Sequence, residues 1–386
     1  MFSRLSLFST TVGSTEPLTQ PMYVLDTETK KIVEKEVTFT PGFYKIFDEI
    51  VVNAADNKQR DPNMNELLIE IKPEENYVSV QNNGNGIPVQ LHKKEGCYVP
   101  TLIFGHLLTG SNFSDDDKKT TGGRNGYGAK LCNIFSHTFT VECLDSTNEK
   151  KFRQTFRNNM SIAEEPIITK ITKTEKKKGD YTKISFEPDL ARFKMDYFDE
   201  DAVALLSKRA YDIAGSMANS KGKKLGVFLN GEQLPIKDFK DYLKTYTDME
   251  APVAYEKVGC WEIGVAPSND NGFQQISFVN SICTSKGGGH VTYITDQLTA
   301  HLVKTVKKKN KGGTEVKPAQ LKTHLAVFVN CLVENPTFDS QTKENCTTKK
   351  GKFGSECTIS EKFLKQVDKR YVLFIVKRPG IYVNIH

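Results

Sequence analysis

The ten residues Thr121, Gly122, Gly123, Arg124, Asn125, Gly126, Tyr127, Gly128, Ala129 and Lys130 constrain this chain more than any other segment. Four glycines, an arginine and a lysine stand directly ahead of an apolar run, Leu131, Ile134 and Phe135, at helical spacing. Glycine lacks the Cβ that bars positive φ, so successive backbone N–H groups can turn toward one point. A helix starting just beyond them adds unpaired N–H groups and the positive end of its dipole. Such a segment describes a nest for a polyanion, above all the phosphates of a nucleotide. Taken alone it also fits a mobile Gly-rich surface loop, and the rest of the chain has to decide.

Two familiar phosphate loops are excluded. A Walker-type loop requires lysine directly after glycine and then a hydroxyl that reaches the metal. Here Gly123 to Gly128 has the right span, but Ala129-Lys130-Leu131 follows, so magnesium has to be held elsewhere. A dinucleotide fingerprint requires a preceding strand and a following acidic ribose ligand, and neither frames this stretch.

At 386 residues the chain has room for two or three domains. Its net charge of +6 is mild but unevenly placed. Lys173–Lys178 reads KTEKKK, and Lys304–Lys311 holds five lysines in eight residues. Each run suits either a solvated face or a nucleic-acid contact. The eight cysteines form no C-x-x-C pair and have no histidine spacing suited to zinc, and Cys132 and Cys331 lie inside apolar runs. They read as small core residues of a reduced, intracellular protein. No run of 18 apolar residues occurs, so no membrane-spanning helix is expected. The first twelve residues, MFSRLSLFSTTV, lack acidic groups; they read as a frayed terminus or as an organelle transit peptide.

Along the chain, Thr40-Pro41 is a helix start, a hydroxyl cap followed by proline at the first helical position. Apolar residues then recur from Phe43 to Ala55 as one core-facing stripe. Beside that stripe Glu49, Asn53, Asp56 and Asn57 form a polar one. Strands are expected at Leu67–Ile71 and Tyr77–Val80, the second running into Asn82-Asn83-Gly84-Asn85-Gly86. Helical segments at Leu102–Leu108 and Ala129–Phe135 flank a polar loop and the glycine nest. Strands resume at Phe139–Leu144, Lys151–Arg157 and Thr182–Phe186, followed by a helix over Asp201–Ile213. Val227–Leu229 with Asn230-Gly231 is a strand and tight turn. Trp261–Ala266, Gln275–Val279 and Ala326–Leu332 are strands, and His290–Lys309 is a long amphipathic helix. A nucleotide domain to about residue 228 and a second α+β domain beyond it are therefore expected.

Glu49 and Asn53 stand one helical turn apart and can address one point. A carboxylate there can orient and deprotonate a water, and an amide oxygen can ligate Mg²⁺ as a hard neutral donor. Alone, the pair is also a common exposed one. Asn82, ahead of Gly84 and Gly86, suits the edge of a base approaching the backbone closely, or an ordinary hairpin turn. Gly110-Ser111-Asn112 offers donors for a sugar or a phosphate.

Order and spacing decide between these readings. Helix with Glu-x-x-x-Asn-Ala, strand with N-x-G-x-G, then G-x-x-G-x-G-x-K opening a helix resembles the Bergerat (GHKL) ATP-binding fold. Within that superfamily, FYKIFDEIVVNAADNKQRDP at Phe43–Pro62, TGGRNGYGAKLCNIFS at Thr121–Ser136 and FQQISFVNSI at Phe273–Ile282 resemble eukaryotic DNA topoisomerase II. So do KKKNKGG at Lys307–Gly313 and NPTFDSQTKEN at Asn335–Asn345. The resemblance runs from about Val12 to Lys365. It implies an α+β chain: a GHKL ATPase α/β sandwich over 14–228, then a transducer domain over 229–365 with a left-handed βαβ crossover. Divergent segments, 1–13 and 366–386, flank them.

The resemblance also implies roles. Glu49 would be the general base for the attacking water, and Asn53 the Mg²⁺ ligand. Asn82 would meet the adenine, where many relatives carry aspartate, with Asn57 and Gly86 in the same nucleotide site. Ser111 and Asn112 would contact sugar and phosphates, and Gly123–Lys130 would wrap the triphosphate. Gln341, Thr342 and Lys343 would reach back to the γ-phosphate, with Lys343 in a catalytic role. Lys307, Lys308 and Lys309 match the family's DNA-touching lysine loop. ATP and Mg²⁺, double-stranded DNA, a second copy or a full-length topoisomerase subunit, and a nuclear location follow from the family, with no membrane partner.

The chain departs from the family in three places. The N-terminal arm R-P-D-T-Y-I-G-S survives only as Val12-Gly13-Ser14. Gly110 and Asn85 stand where the family has serine and lysine. After Lys365 the sequence no longer follows the terminal transducer helix, and the toprim and tyrosine-bearing domains do not follow, so DNA cleavage is not expected of these residues alone. Two expectations result: a working ATPase gate, or a truncated, non-catalytic relative that binds nucleotide, DNA or topoisomerase subunits without turnover.

Overall fold

A computed structural model describes residues 12–106, 120–121, 126–217, 222–246, 254–268, 272–309 and 316–369. These fall into two compact units divided after Asp238.

The first unit opens with an antiparallel hairpin, β1 (Leu18–Asp26) and β2 (Lys31–Phe39), in register from Leu18 opposite Phe39 to Asp26 opposite Lys31. The Asp26 carboxylate closes its turn by accepting from the N–H groups of Glu28 and Thr29, both at 2.9 Å. Helix α1 (Pro41–Arg60) follows. Thr40 precedes it, but its hydroxyl does not cap the helix and instead donates to the Phe193 carbonyl at 2.9 Å. The end needs no such cap, because Pro41 has no N–H and the Gly42 N–H donates to Ser14 O at 2.8 Å.

Strands β3 (Glu66–Lys72) and β4 (Tyr77–Asn83) come next, joined by a 3₁₀ turn over Pro73–Glu75. Then come helices α2 (Val99–Gly105) and α3 (Gly128–Ile134), each beginning somewhat earlier than its apolar spacing suggests. Strands β5 (Ser136–Asp145), β6 (Lys150–Arg157), β7 (Ile162–Ala163) and β8 (Ile167–Lys170), helix α4 (Lys173–Lys178) and strand β9 (Tyr181–Pro188) continue the chain. Helix α5 (Glu200–Met217) and the hairpin β10 (Gly226–Leu229) with β11 (Glu232–Gln233) complete the unit.

Among the described residues the sheet runs β11-β10-β3-β4-β9-β5-β6-β7, with β8 also on β6. Strand β10 pairs parallel to β3, and the remaining neighbours are antiparallel. Because the β10–β11 hairpin closes this sheet, the first unit extends to Asp238. Helices α1, α3 and α5 pack on one another and on strands of the sheet. The β1–β2 hairpin is anchored by Val24 and Val37 against Ala204 and Leu205 of α5.

Lys58 ties the end of α1 into this layer. Its ammonium donates to the carbonyls of Pro62 at 2.9 Å, Met64 at 2.8 Å and Lys223 at 2.7 Å. Three carbonyls match the three donors of an ammonium, so the turn into β3 and the segment entering β10 share one anchor. Burial lowers the Lys58 pKa from its ordinary value.

The second unit carries α6 (Phe239–Leu243), β12 (Ala254–Val258), β13 (Trp261–Pro267), β14 (Gln274–Val279), β15 (Ile282–Cys283) and β16 (Gly287–Gly288). Helices α7 (Gly289–Lys309) and α8 (Pro318–Lys322), strands β17 (Leu325–Cys331) and β18 (Asn345–Cys346) and helix α9 (Glu361–Val367) follow. Its sheet runs β12-β13-β17-β14-β15. Strands β14 and β17 lie parallel and adjacent, so the chain returns between them through α7, a βαβ crossover. Ile294, Leu298, Leu302 and Val306 recur along α7 at helical spacing and pack with Trp261, Val327 and Val329 in one core. Among the described residues no helix is long and apolar enough to cross a membrane.

Replacing Lys58 by methionine is expected to cost about 3 kcal/mol, since charge-assisted bonds are lost and carbonyls are left without a donor. Urea unfolding checks this; a loss below about 0.5 kcal/mol would show that water replaces the ammonium.

Candidate functional site

The apolar stripe of α1 faces the core, and its charged residues do not all turn outward. Lys45, Asp48 and Glu49 are each at most 5% exposed. The Lys45 ammonium lies 2.9 Å from Asp48 Oδ2 and 2.9 Å from Glu49 Oε1. Arg209, fully buried on α5, donates from Nε to Asp48 Oδ1 at 2.7 Å. Burial alone would lower the Lys45 pKa, but the carboxylates of Asp48 and Glu49 outweigh it and hold the ammonium well above its ordinary range. Burial would likewise raise the Asp48 pKa, and Lys45 with Arg209 drives it far below the ordinary carboxylate range. The cluster therefore stays charged, and it fixes α1 against α5 at the turn that carries Glu49.

Glu49 meets the start of α3. A Cβ built on Gly128 would lie 2.0 Å from Glu49 Oε2 and 2.8 Å from Cδ. A larger residue there would have to displace the Glu49 side chain from its contact with Lys45. Gly126, just before it, has φ +65°, a conformation natural to glycine. Lys130 is buried and folds back, its ammonium donating to the Gly126 carbonyl at 2.6 Å. Burial lowers its pKa to about 8. Tyr127 is half-buried and Ala129 lies in the buried face of α3.

Asn53 is exposed, one turn beyond Glu49, and Asn57 follows one turn later. The Asn57 amide donates to Asn83 O at 3.4 Å, and the Asn82 amide donates to the same carbonyl at 3.0 Å. The helix and the end of β4 thus converge on the turn Asn83-Gly84-Asn85-Gly86. Asp61, capping α1, organises that turn, since its Oδ2 accepts from the Asn85 N–H at 2.7 Å. A Cβ on Gly84, at φ +91°, would come within 2.5 Å of that oxygen. A Cβ on Gly86 would lie 3.0 Å from Leu144 O. Asp61 and Lys45 were not among the residues singled out in the sequence; a charged residue four positions before Glu49 is the only local sign of either.

This arrangement suits a magnesium nucleotide. Exposed Asn53 offers a neutral oxygen donor beside a buried, ion-paired carboxylate, the hard-donor chemistry Mg²⁺ takes. Ser111, Asn112, Gly123, Arg124 and Asn125 lie outside the described residues, as does Gly110. Among the described residues there is no cluster of three or more His, Cys, Asp or Glu able to hold a metal by itself.

The remaining candidates belong to the second unit. Gln341 and Thr342 are partly exposed, and Lys343 is buried with φ +61°. The Lys343 N–H donates to Ser340 O at 3.2 Å, closing the turn. Lys307 and Lys308 are exposed on the last turn of α7, and Lys309 ends that helix. The eight cysteines are unpaired thiols, five of them buried.

Comparison with known proteins gives consistent matches. The family described as histidine kinase-, DNA gyrase B-, and HSP90-like ATPase matches residues 40–192, and the family described as DNA gyrase B matches residues 228–375. DNA topoisomerase 2 of Drosophila melanogaster is 56% identical over 369 residues, covering 93% of this chain and 24% of that protein. The chain therefore spans about a quarter of the length of the curated relatives it matches. The crystal structure of the ATPase and transducer domains of DNA topoisomerase II from Balamuthia mandrillaris superposes with a TM-score of 0.88 at 49% identity, covering 95% of this chain and 92% of that one. The ATPase region of Saccharomyces cerevisiae topoisomerase II gives 0.87 at 46% identity, with coverages of 95% and 93%.

Replacing Arg209 by methionine leaves Asp48 buried with one partner fewer and is expected to cost about 3–5 kcal/mol in urea unfolding. The double change Asp48→Leu and Arg209→Met, which leaves Lys45 paired with Glu49, should recover much of that loss. Equal losses in the two variants would show that the ion cluster is not what Arg209 serves.

Proposed function

The chain belongs to the DNA topoisomerase II family, matching its ATPase and transducer region, and from this membership we propose that it is an ATP-binding and ATP-hydrolysing gate. The observation that carries the reading is Glu49: a buried carboxylate, ion-paired to Lys45, pressed against the glycine that opens α3. A general base has to be held at hydrogen-bonding distance from its water, and a carboxylate pinned by one oxygen keeps a fixed orientation. Glu49 takes the proton of the attacking water, while Lys45, Asp48 and Arg209 keep it from swinging away. Asn82 and Asn57, at the Asn83 turn, with Gly86, receive the base. Lys130 exchanges the Gly126 carbonyl for a phosphate oxygen, and Gly123–Ala129 enclose the triphosphate together with Ser111 and Asn112. Asn53 holds Mg²⁺, which when bound neutralises charge on the phosphate oxygens. Catalysis of this kind is positioning and electrostatics.

The roles given to Gln341, Thr342 and Lys343 at the γ-phosphate, and to Lys307, Lys308 and Lys309 on double-stranded DNA, rest on the family's pattern. On that pattern ATP closes a dimer, and closure is coupled to passage of one duplex through another in the nucleus. The intact Lys45–Glu49–Gly128 arrangement favours turnover over a remnant that only binds.

Glu49→Gln is expected to reduce hydrolysis by about 10²–10⁴-fold, the usual worth of a general base, while nucleotide affinity stays near that of the parent. A variant that hydrolyses ATP at the parent rate overturns the assignment. Lys130 gives a separate test. It is charged below about pH 8, so affinity for ATP should fall as pH rises through 8. In Lys130→Gln that dependence should flatten; calorimetric titration across the range measures both, and an unchanged profile removes Lys130 from the site.

A further inference from the structure

We propose that the corner of the first unit formed by β6, β8 and α4 is a contact surface for the phosphate backbone of duplex DNA, separate from the lysines that end α7. The inference goes beyond the proposed gate but rests on the reading that the chain acts on DNA.

Three neighbouring segments of the chain bring seven lysines to this corner: Lys150 and Lys151 on β6, Lys170 on β8, and Lys173, Lys176, Lys177 and Lys178 on α4. Lys170 and the four lysines of α4 are exposed. The nearby carboxylates are engaged elsewhere or leave most of the lysines without a partner. Glu149 takes Lys176 at 2.7 Å. Glu175 completes the capping box with Thr172 and stands 3.8 Å from Lys151. Asp145 accepts from Val89 and Asn148, and Asp180 accepts from the Ser146 N–H. Glu142 stands 4.0 Å from Arg153, and Glu164 pairs with Arg157. Among the described residues, Lys150, Lys170, Lys173, Lys177 and Lys178 have no carboxylate within 4.0 Å.

Ordinary folding preferences explain part of this pattern. Lysines in the last turn of α4 complement the helix dipole. They do not explain Lys170, which stands directly opposite Lys150 in the antiparallel register of β6 and β8, while Asp145 faces Lys150 from β5 and Glu149 lies near Lys170. Like charges facing each other across strands destabilise a sheet unless an anion lies between or above them. Lys173, Lys176 and Lys177 share one side of α4 by their three- and four-residue spacing. The result is a spread of mostly lysine point charges on flexible stems, with Arg153 beside them on β6 and Tyr181 against Lys151. Point charges of this kind suit evenly spaced phosphates and read no base. An acidic protein would instead call for a buried apolar anchor at the centre of the patch.

The test measures binding of the full chain to a labelled duplex of mixed sequence as salt is varied. The variants are Lys173→Ala/Lys177→Ala/Lys178→Ala, Lys150→Gln/Lys170→Gln, and Lys307→Ala/Lys308→Ala. Each neutralised phosphate contributes about 0.9 to the slope of log K against log salt. The α4 triple variant should therefore flatten that slope by about 2–3 and weaken binding by about tenfold or more at low salt. Far-UV dichroism and DNA-independent ATPase should stay at parent values. The Lys150/Lys170 pair variant should flatten the slope without loss of thermal stability, since it relieves a like-charge pair. If parent and Lys307/Lys308 variants show DNA binding through α7 while both corner variants keep the parent slope, this surface is overturned and the DNA reading stands. A parent chain that binds no duplex overturns both. Displacement of the duplex by polyglutamate as readily as by unlabelled duplex, charge for charge, overturns the assignment to nucleic acid.

Discussion

The buried cluster of Lys45, Asp48, Glu49 and Arg209 is the interaction on which the first unit depends. Removing four charged groups from water is costly, and their mutual attraction offsets the cost only when each contact is close. Here the separations are 2.7–2.9 Å. Hydrophobic residues of similar volume could bind α1 to α5 at least as strongly. What they could not do is hold a carboxylate, Glu49, in a fixed orientation against the start of α3. The cluster is thus better understood as a positioning device than as a source of stability.

A second constraint comes from groups that the resting chain satisfies internally. Lys130 donates to Gly126 O, and the amides of Asn57 and Asn82 both donate to Asn83 O. A ligand that enters has to replace these partners with its own, so its binding is an exchange of hydrogen bonds, whose net free energy is modest per bond. On the proposed reading specificity lies in geometry: a nucleotide presents anionic oxygens toward Gly126 and a polar planar edge toward Asn83, and so can replace both sets of partners. The lowered pKa of Lys130 fits this picture, since an ammonium short of solvent gains most from an anion.

Much of this was legible in the sequence because the signals were local. Thr40-Pro41 placed the start of α1, although the Thr40 hydroxyl serves Phe193 rather than the helix, and the stripe from Phe43 to Ala55 stops five residues short of its end at Arg60. Alternating apolar positions marked β3, β5 and β9, and Asn230-Gly231 marked the β10 turn. The β1–β2 hairpin went unread, because most of its positions are exposed or half-exposed and only Val24, Leu25, Ile32 and Val37 are buried. Nor could the Asp48–Arg209 pair be seen. Its members lie 161 positions apart, and an Asp-Glu dipeptide on an amphipathic helix ordinarily faces water. Lys45 and Asp61 escaped for the same reason: each acts on another functional group, and a motif does not record such indirect service. Resemblance to a family named the residues proposed to meet the ligand; only coordinates named those packed against them.

The glycines of Thr121–Lys130 divide along the same line. Sequence treats them as equivalent sources of backbone freedom. In the structure Gly126 uses that freedom, with φ +65°. Gly128 begins a helix, where any residue could adopt the backbone angles, yet it alone admits the Glu49 carboxylate beside its Cα. An alanine there would be favoured by helix propensity and forbidden by contact. The glycine that looked like slack in a loop is therefore held to its size by the Glu49 side chain, and on the proposed reading it joins the phosphate-binding segment to the general base.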